Sequence, residues 1–249
     1  MTLFSFIYKK KYKQFMIFIG LDVSKISTAL CIEKNNEFKL FSYTTKKDNN
    51  IWIKNTSEFI NYRHINYSYK DEKDYSISEL LKLREFDKNT DLIIKDITDN
   101  INSDDVKIGI EGYSYSSTGP IFDLIEFTSY LKFKLLKLNY YNNIEILSPL
   151  SVKIETCKKV YKPRIELKGK KIIKEILHYE NNNGKQATKF DKWDMLFAFI
   201  DSDIDINFKN WCISYREDIT KGKEVPKPLD DIIDSIWISQ IIKSKNINI

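Results

Sequence analysis

The sequence predicts an α/β fold on a mixed five-stranded sheet, three antiparallel strands followed by two parallel ones. Three observations carry this. Near the start, three short apolar segments are joined by turns of two to four residues, too short for a parallel crossover. Beyond residue 75, helical and strand patterns alternate, as parallel α/β layers require. The chain of 249 residues is 42% hydrophobic and 14% aromatic with only 7 Gly and 5 Pro, enough to bury a real core and unlike a low-complexity chain.

In chain order, residues 16–23 form the first strand. Ile17, Phe18, Ile19 and Leu21 deliver a lone carboxylate, Asp22, to its end. A charge there is costly unless something cationic meets it. Ser24, Lys25 and Ser27 make a polar turn, and the second strand covers 27–33. Asn35-Asn36 marks the next turn, and a third strand, Glu37 to Thr44, sets Phe38 and Leu40 against polar neighbours. Residues 46–75 lack a clear period and are expected to make a long excursion with one weak helix. Ser76-Ile-Ser-Glu79 has capping-box spacing and opens a helix reaching about Asn100.

Val106 to Glu111, VKIGIE, is the fourth strand and ends on a second acid. The loop GYSYSSTGP follows, with Pro120 suited to the first position of a helix over Ile121 to Leu138. In that helix Phe122, Phe127, Tyr130 and Phe133 are expected in the core or at a dimer interface. Ile144 to Leu147 is the fifth strand, and Ser148-Pro149 start the next helix. Asp191 to Ile200 reads as helical, while Phe208 to Tyr215 has no decisive pattern. Pro226 and Pro228 delimit a last helix, Leu229 to Ile242. Its Ile232, Ile233, Ile236, Trp237 and Ile241 form a buried stripe beside Asp230, Asp231 and Asp234.

Composition narrows the chemistry. Cys31, Cys157 and Cys212 are scattered and the two histidines are isolated, so no zinc site can be written, and the cysteine usage fits a reducing compartment. No apolar run approaches the ~20 residues of a membrane span. No two of the seven glycines make a phosphate loop, and neither histidine sits in a nucleophile–base motif. Net charge is +5, yet residues 153–192 alone hold twelve bases against five acids. Lys153, Lys158, Lys159, Arg164, Lys170, Lys171 and Lys192 are the candidate phosphate contacts from that segment. Residues 1–15, basic and without acids, are expected to be an extension ahead of a single domain, 16–245. The alternative is a mitochondrial targeting segment, although such segments are usually rich in arginine and this one has none. Insertions are expected near 46–75 and 158–189.

Four acids stand out: Asp22, Glu111, Asp231 and Asp234. The last two share a helix face by their i,i+3 spacing. If the first and fourth strands are neighbours and the final helix packs over them, all four converge. Such a cluster repels itself unless divalent cations sit within it. All-oxygen ligation favours Mg²⁺ or Mn²⁺, and two such ions suit in-line hydrolysis of a phosphodiester.

GLDVS, IEGYSYSSTGPIFDLIEFTSYLK and PLDDIIDSIWIS resemble, in order, the three signatures of RuvC-like Holliday-junction resolvases, a branch of the RNase H-like superfamily. The likeness is to phage and virus members, and FDKWDMLFAF resembles the family's "DK" helix through Asp191 and Lys192. It spans most of Met16 to Ile242. The resemblance implies an RNase H-like sheet and a homodimer that nicks opposed strands of a four-way DNA junction, in the cytoplasm or at a viral replication site. It implies two Mg²⁺ ions, replaceable by Mn²⁺. Asp22 would bridge them, Glu111 and Asp231 would complete the shells, and Asp234 would ligate or orient. Tyr113 and Tyr115 are placed to stack on unpaired bases. Asp230, next to Asp231, leaves open which aspartates hold metal. A nuclease of the same fold acting on flaps, other branched DNA or RNA–DNA hybrids is the alternative, as is a non-catalytic DNA-binding relative.

Overall fold

Every residue of β1 (Ile17–Asp22) is buried, so layers cover both faces of this strand. β2 (Ser27–Lys34) and β3 (Glu37–Thr44) fold back beside it, each antiparallel to the one before. Asn35 and Asn36 make the tight turn between them with φ of 54° and 65°, the left-handed pair that suits a two-residue hairpin. The computed structural model describes residues 16–24, 26–47, 49–101, 105–113, 121–138, 140, 143–161, 164–168, 171–176 and 189–247, with backbone only between 164 and 176. The two readings of residues 1–15 lie outside the described residues.

On the other side of β1, β5 (Val106–Glu111) and then β6 (Ile144–Leu147) pair in parallel. The sheet order is β4-β3-β2-β1-β5-β6. The five strands from β3 to β6 carry the expected RNase H-like order, with β2 alone running against the rest. The sixth strand corrects the expectation of five. Residues 46–75 hold α1 (Ile51–Thr56) and β4 (Ile60–His64), which adds to the edge parallel to β3. What secures β4 is tertiary. Arg63 donates to Asp96 of the long helix α2 (Tyr75–Asn100) at 3.0 and 3.2 Å, and the Tyr43 hydroxyl donates to the same carboxylate at 2.9 Å. Sequence periodicity carries no trace of that clamp.

Helix α2 also starts earlier than the Ser76 box implies. Asp74 is its N-cap, accepting from the Ile77 amide at 3.0 Å, while Glu79 turns to Lys82 instead. α3 (Ile121–Lys137) packs beside α2, and the two cover one face of the sheet. Their Phe86, Ile93, Ile97, Phe127, Leu131 and Leu135 meet Ile17, Ile19 and Leu21 of β1. The opposite face carries α4 (Pro149–Val160), α5 (Lys192–Asp201), α6 (Asn207–Ser214) and α8 (Leu229–Ile247), with short α7 (Arg216–Thr220) behind. The undecided 208–215 stretch is thus helical, its Phe208, Trp211 and Cys212 buried. Between α4 and α5, the Lys-rich stretch includes a separate antiparallel ribbon, β7 (Arg164–Lys168) and β8 (Lys171–Ile176). No helix among the described residues is long and apolar enough to cross a membrane.

Two glycines seat α8. Strand side chains alternate between faces, so Gly20 and Asp22 share the face of Phe18, toward α8. A Cβ on Gly20 would fall 1.9 Å from the Ser235 carbonyl oxygen and 2.6 Å from the Ser239 amide. Gly109 is the register partner of Gly20 on β5, and a Cβ there would lie 2.6 Å from Ile238 and Ile242 side chains. The helix therefore rests its backbone directly on β1 and its Ile238 and Ile242 side chains on β5. Asp22 and Glu111, each two residues beyond its glycine, share that face at the strands' C-terminal ends.

Candidate active site

Alternation and close approach together place the site. Asp22 ends β1, Glu111 ends the adjacent parallel strand, and Asp231 and Asp234 lie in the first turns of the helix clamped over both. The Gly112 amide donates to the Leu147 carbonyl at 2.7 Å, which extends the β5–β6 ladder past Glu111 and holds that residue's backbone. Asp22, Asp231 and Asp234 are buried to within a few per cent, Asp231 to 1% exposure. Acids at a helix N-terminus are favoured by its dipole, but burial of three at once needs stronger compensation.

The electrostatics record the crowding. Burial raises the Asp22 carboxyl well above its usual pKa, and repulsion from Glu111 and Asp234 adds to it; Lys192 and Lys227 pull the other way. Glu111 is pushed up to about 7, first by burial and then by Asp234. Asp22 and Glu111 lie in each other's field, so the pair titrates together. Asp231 is raised by burial, by Asp22 and by Asp230. Asp234 is raised by burial despite its bond to Lys192. Asp22 thus links the four sequence-predicted carboxylates, coupled to Glu111, Asp234 and Asp231 in turn.

Two lysines share the site. Lys192 opens α5, whose N-cap is Asp191. The Asp194 amide donates to Asp191 at 3.1 Å, and the Asp191 amide donates back to Asp194 at 2.9 Å. Of the "DK" pair, then, Asp191 is a cap and Lys192 enters the site. Lys192 Nζ bonds Asp234 and lies 3.9 Å from Asp230 Oδ2. Burial works against its ammonium, but Asp234, Asp22 and Asp230 outweigh that and hold its pKa above the usual lysine value. Lys227 bonds Asp231 and lies 3.0 Å from Asp230 Oδ2.

Asp230 therefore joins the two lysines. It does so through Oδ2 alone. Lys227 escaped the sequence reading because one lysine among many carries no signal; its only clue was the i,i+3 and i,i+4 spacing to Asp230 and Asp231.

The residues fit a divalent metal. Asp230 Oδ1, Asp231 Oδ2 and Asp234 Oδ1 are buried oxygens with no hydrogen-bond donor in reach. Asp22, Glu111, Asp231 and Asp234 form an all-oxygen donor set of the kind hard cations take. Among the described residues no three ligand side chains stand close enough to form a ready-made ligand sphere. Each lysine holds an aspartate by one oxygen and leaves the other without a donor.

The expected DNA contacts divide. Lys153, half-buried on α4, lies in the field of Glu111, and Lys192 is in the site itself. Lys158 pairs with Glu155 at 3.0 Å, and Lys159 lies near Asp203 and Glu33. Glu33 pairs in register with Phe18, four residues from Asp22 and so ~13 Å along the strand. Those two lysines belong to the far end of the sheet. Arg164 and Lys171 fall on the ribbon backbone, while Lys170 and Tyr115 lie outside the described residues. Tyr113 is half-buried, with Lys132 Nζ 5.5 Å from its ring centre.

Fold and site together define an α/β protein with the RNase H-like sheet order and a carboxylate cluster where its central parallel strands end. No family model and no curated protein matches the chain. Among solved structures it is similar to the Thermus thermophilus RuvC structure, at 8% identity over 93% of this chain and 96% of that one, with a TM-score of 0.38. So loose a likeness carries no argument about activity, which must rest on the residues.

Proposed function

We propose that this protein is a metal-dependent endonuclease that cleaves phosphodiester bonds in branched DNA, four-way junctions foremost. The observation behind this reading is that four carboxylates from three remote segments lie in one another's field, two of them, Asp231 and Asp234, keeping a buried oxygen that no protein donor satisfies. Asp22, Glu111, Asp231 and Asp234 would hold two Mg²⁺ ions, with Mn²⁺ able to replace them. Bound there, the ions would supply Lewis-acid activation of water and of the scissile phosphate. Lys192, still 44% exposed, offers an ammonium to an incoming phosphate while it orients Asp234. Lys153, in the field of Glu111, would add a phosphate contact beside the acidic centre, and Arg164, Lys170 and Lys171 are proposed from the sequence as further phosphate contacts. Helix α8, seated on Gly20 and Gly109, keeps the helix-borne acids in register with the strand-borne ones.

Opposed nicks need two sites, and a homodimer supplies them. The outer stripe of α3 supports this: Phe122 is 77% and Phe133 58% exposed, with Leu136 beside them. Aromatic rings so open on one helix face are typical of an association surface.

The test is a labelled four-way junction, a flap, an RNA–DNA hybrid and a plain duplex, each incubated with and without Mg²⁺ or Mn²⁺. Symmetric metal-dependent nicking of the junction is expected, lost in Asp22→Asn. Junction cleavage that survives Asp22→Asn in a folded protein overturns the proposal. Preferential cleavage of the flap or the hybrid reassigns the substrate.

A further inference from the structure

Beside the carboxylate cluster lies a half-buried set of aromatic and cationic groups that the cleavage chemistry does not use. Trp193 follows Lys192, whose ammonium reaches Asp234, so their backbones are ~3.8 Å apart. Trp193 stacks on Phe197, one helical turn further along α5, with ring centres 6.3 Å apart and planes 24° from parallel. The Arg216 guanidinium lies over Phe197, 4.9 Å from its ring centre. The Trp193 indole N–H donates to the Lys223 carbonyl at 3.4 Å. That bond ties the ring to the loop that carries Lys227 into the site. The series Trp193–Phe197–Arg216 thus sits between two segments that each deliver a lysine to the carboxylates, with Arg216 and Lys223 exposed around it.

Its position sets it apart from the other aromatic clusters. Trp237 and Trp211 are buried at 1% and 8% exposure, and Phe208 stacks on Trp211 as interior packing, with the exposed Tyr215 against the outer side of Trp211 and no residue of the carboxylate site among them. Trp193 and Phe197 retain partial exposure at the rim. Flat π surfaces interleaved with cations beside a phosphodiester-cleaving centre match the chemistry of unpaired nucleotides: the bases stack on aromatic or guanidinium planes while the phosphates follow the charge.

We propose that Trp193, backed by Phe197 and Arg216, is the platform on which a nucleobase unstacked at the branch point rests while its phosphate enters the site. This deepens the nuclease reading and depends on it for the identity of the nucleic acid. It puts the stacking residue on a rigid helix and ascribes to Trp193 the selection of branched over continuous DNA.

The full chain, in chelator so that nothing is cleaved, is titrated with a fluorescent four-way junction, a single-stranded oligonucleotide and a duplex of matched arm sequence. A Trp193→Leu variant keeps apolar bulk without a π face, and Trp193→Phe restores a ring; thermal melting checks that both fold. The expected result is a loss of about tenfold in affinity for junction and single strand in Trp193→Leu, within the range of one base–aromatic stack. Duplex affinity should be nearly unchanged, and Trp193→Phe should recover most of the loss. A 2-aminopurine placed in the single strand should be quenched on binding wild type, a readout that needs no variant. Equal affinities for wild type and Trp193→Leu, an equal loss on duplex, or unquenched 2-aminopurine overturns the platform. Failure of wild type to bind any of the three DNAs counts instead against the nuclease reading.

Discussion

Replacing Gly20 by alanine tests the packing that brings strand and helix carboxylates together. The added Cβ would sit 1.9 Å from the Ser235 carbonyl oxygen, whereas ordinary contact begins at 3.4 Å. Strand and helix must then part by about 1.5 Å, because the colliding atom is backbone and has no rotamer to change. Overpacking of this kind costs about 1–3 kcal/mol. Ser235 is the neighbour of Asp234, so the displacement is passed straight to the acids. A misplacement of ~1 Å near the chemistry lowers rate by about 10²-fold. Chemical denaturation in chelator should show the midpoint falling, and junction cleavage under saturating Mg²⁺ should fall by about two orders of magnitude. Gly112 is the control, since its Cβ would meet a side-chain atom, Ile146 Cγ2, at 3.2 Å and that atom can give way. Wild-type stability and cleavage in Gly20→Ala would mean that α8 does not rest on β1 there, and the account of how the site is assembled would fail.

Three further outcomes follow from the same geometry. Asp22→Asn should raise the melting temperature in chelator at pH 7.5, by removing an acid whose ionised form is disfavoured by burial and by repulsion from Glu111 and Asp234, while cutting cleavage by more than ~100-fold, beyond what loss of an outer-shell metal partner costs; a lower melting temperature would contradict the crowding. Because Asp22, Glu111, Asp231 and Asp234 all have folded-state pKa values above their ordinary ones, the folded state holds more protons than the unfolded. Metal-free stability should therefore decline as pH rises from the usual carboxylate range to about 7, the Glu111 value. A melting series in chelator reads this directly, and a rise over that window refutes it. Phe133→Glu should convert a dimer to a monomer in light scattering without changing the circular dichroism, and an unchanged mass would move the interface away from α3.

Local pattern was enough for the five strands other than β4, the long helices and the places of the four carboxylates along them. Each rests on short-range rules: alternation along β1, apolar recurrence along α8, two-residue turns that forbid parallel crossovers. Long-range contacts decided the rest. β4 exists as a sheet strand because Arg63 and Tyr43 meet Asp96, residues that no period links. Lys227 and Asp230 acquired roles only when the folded loop and α5 brought two ammonium groups to one carboxylate, and Lys158 and Lys159 moved to the far end of the sheet once α4 had a direction.

Asp22 by itself was only an acid at the end of an apolar strand, as any cap would be. Sequence alone determined that it ends a strand and that Glu111, Asp231 and Asp234 recur at element ends of the right kind, because side-chain periodicity is local. Tertiary structure decided that Gly20 and Gly109 let a helix lie on the sheet. It also decided that the four acids, forced together in low-dielectric surroundings, hold raised pKa values beside two lysines, because burial and Coulomb energy depend on distances that only the fold sets.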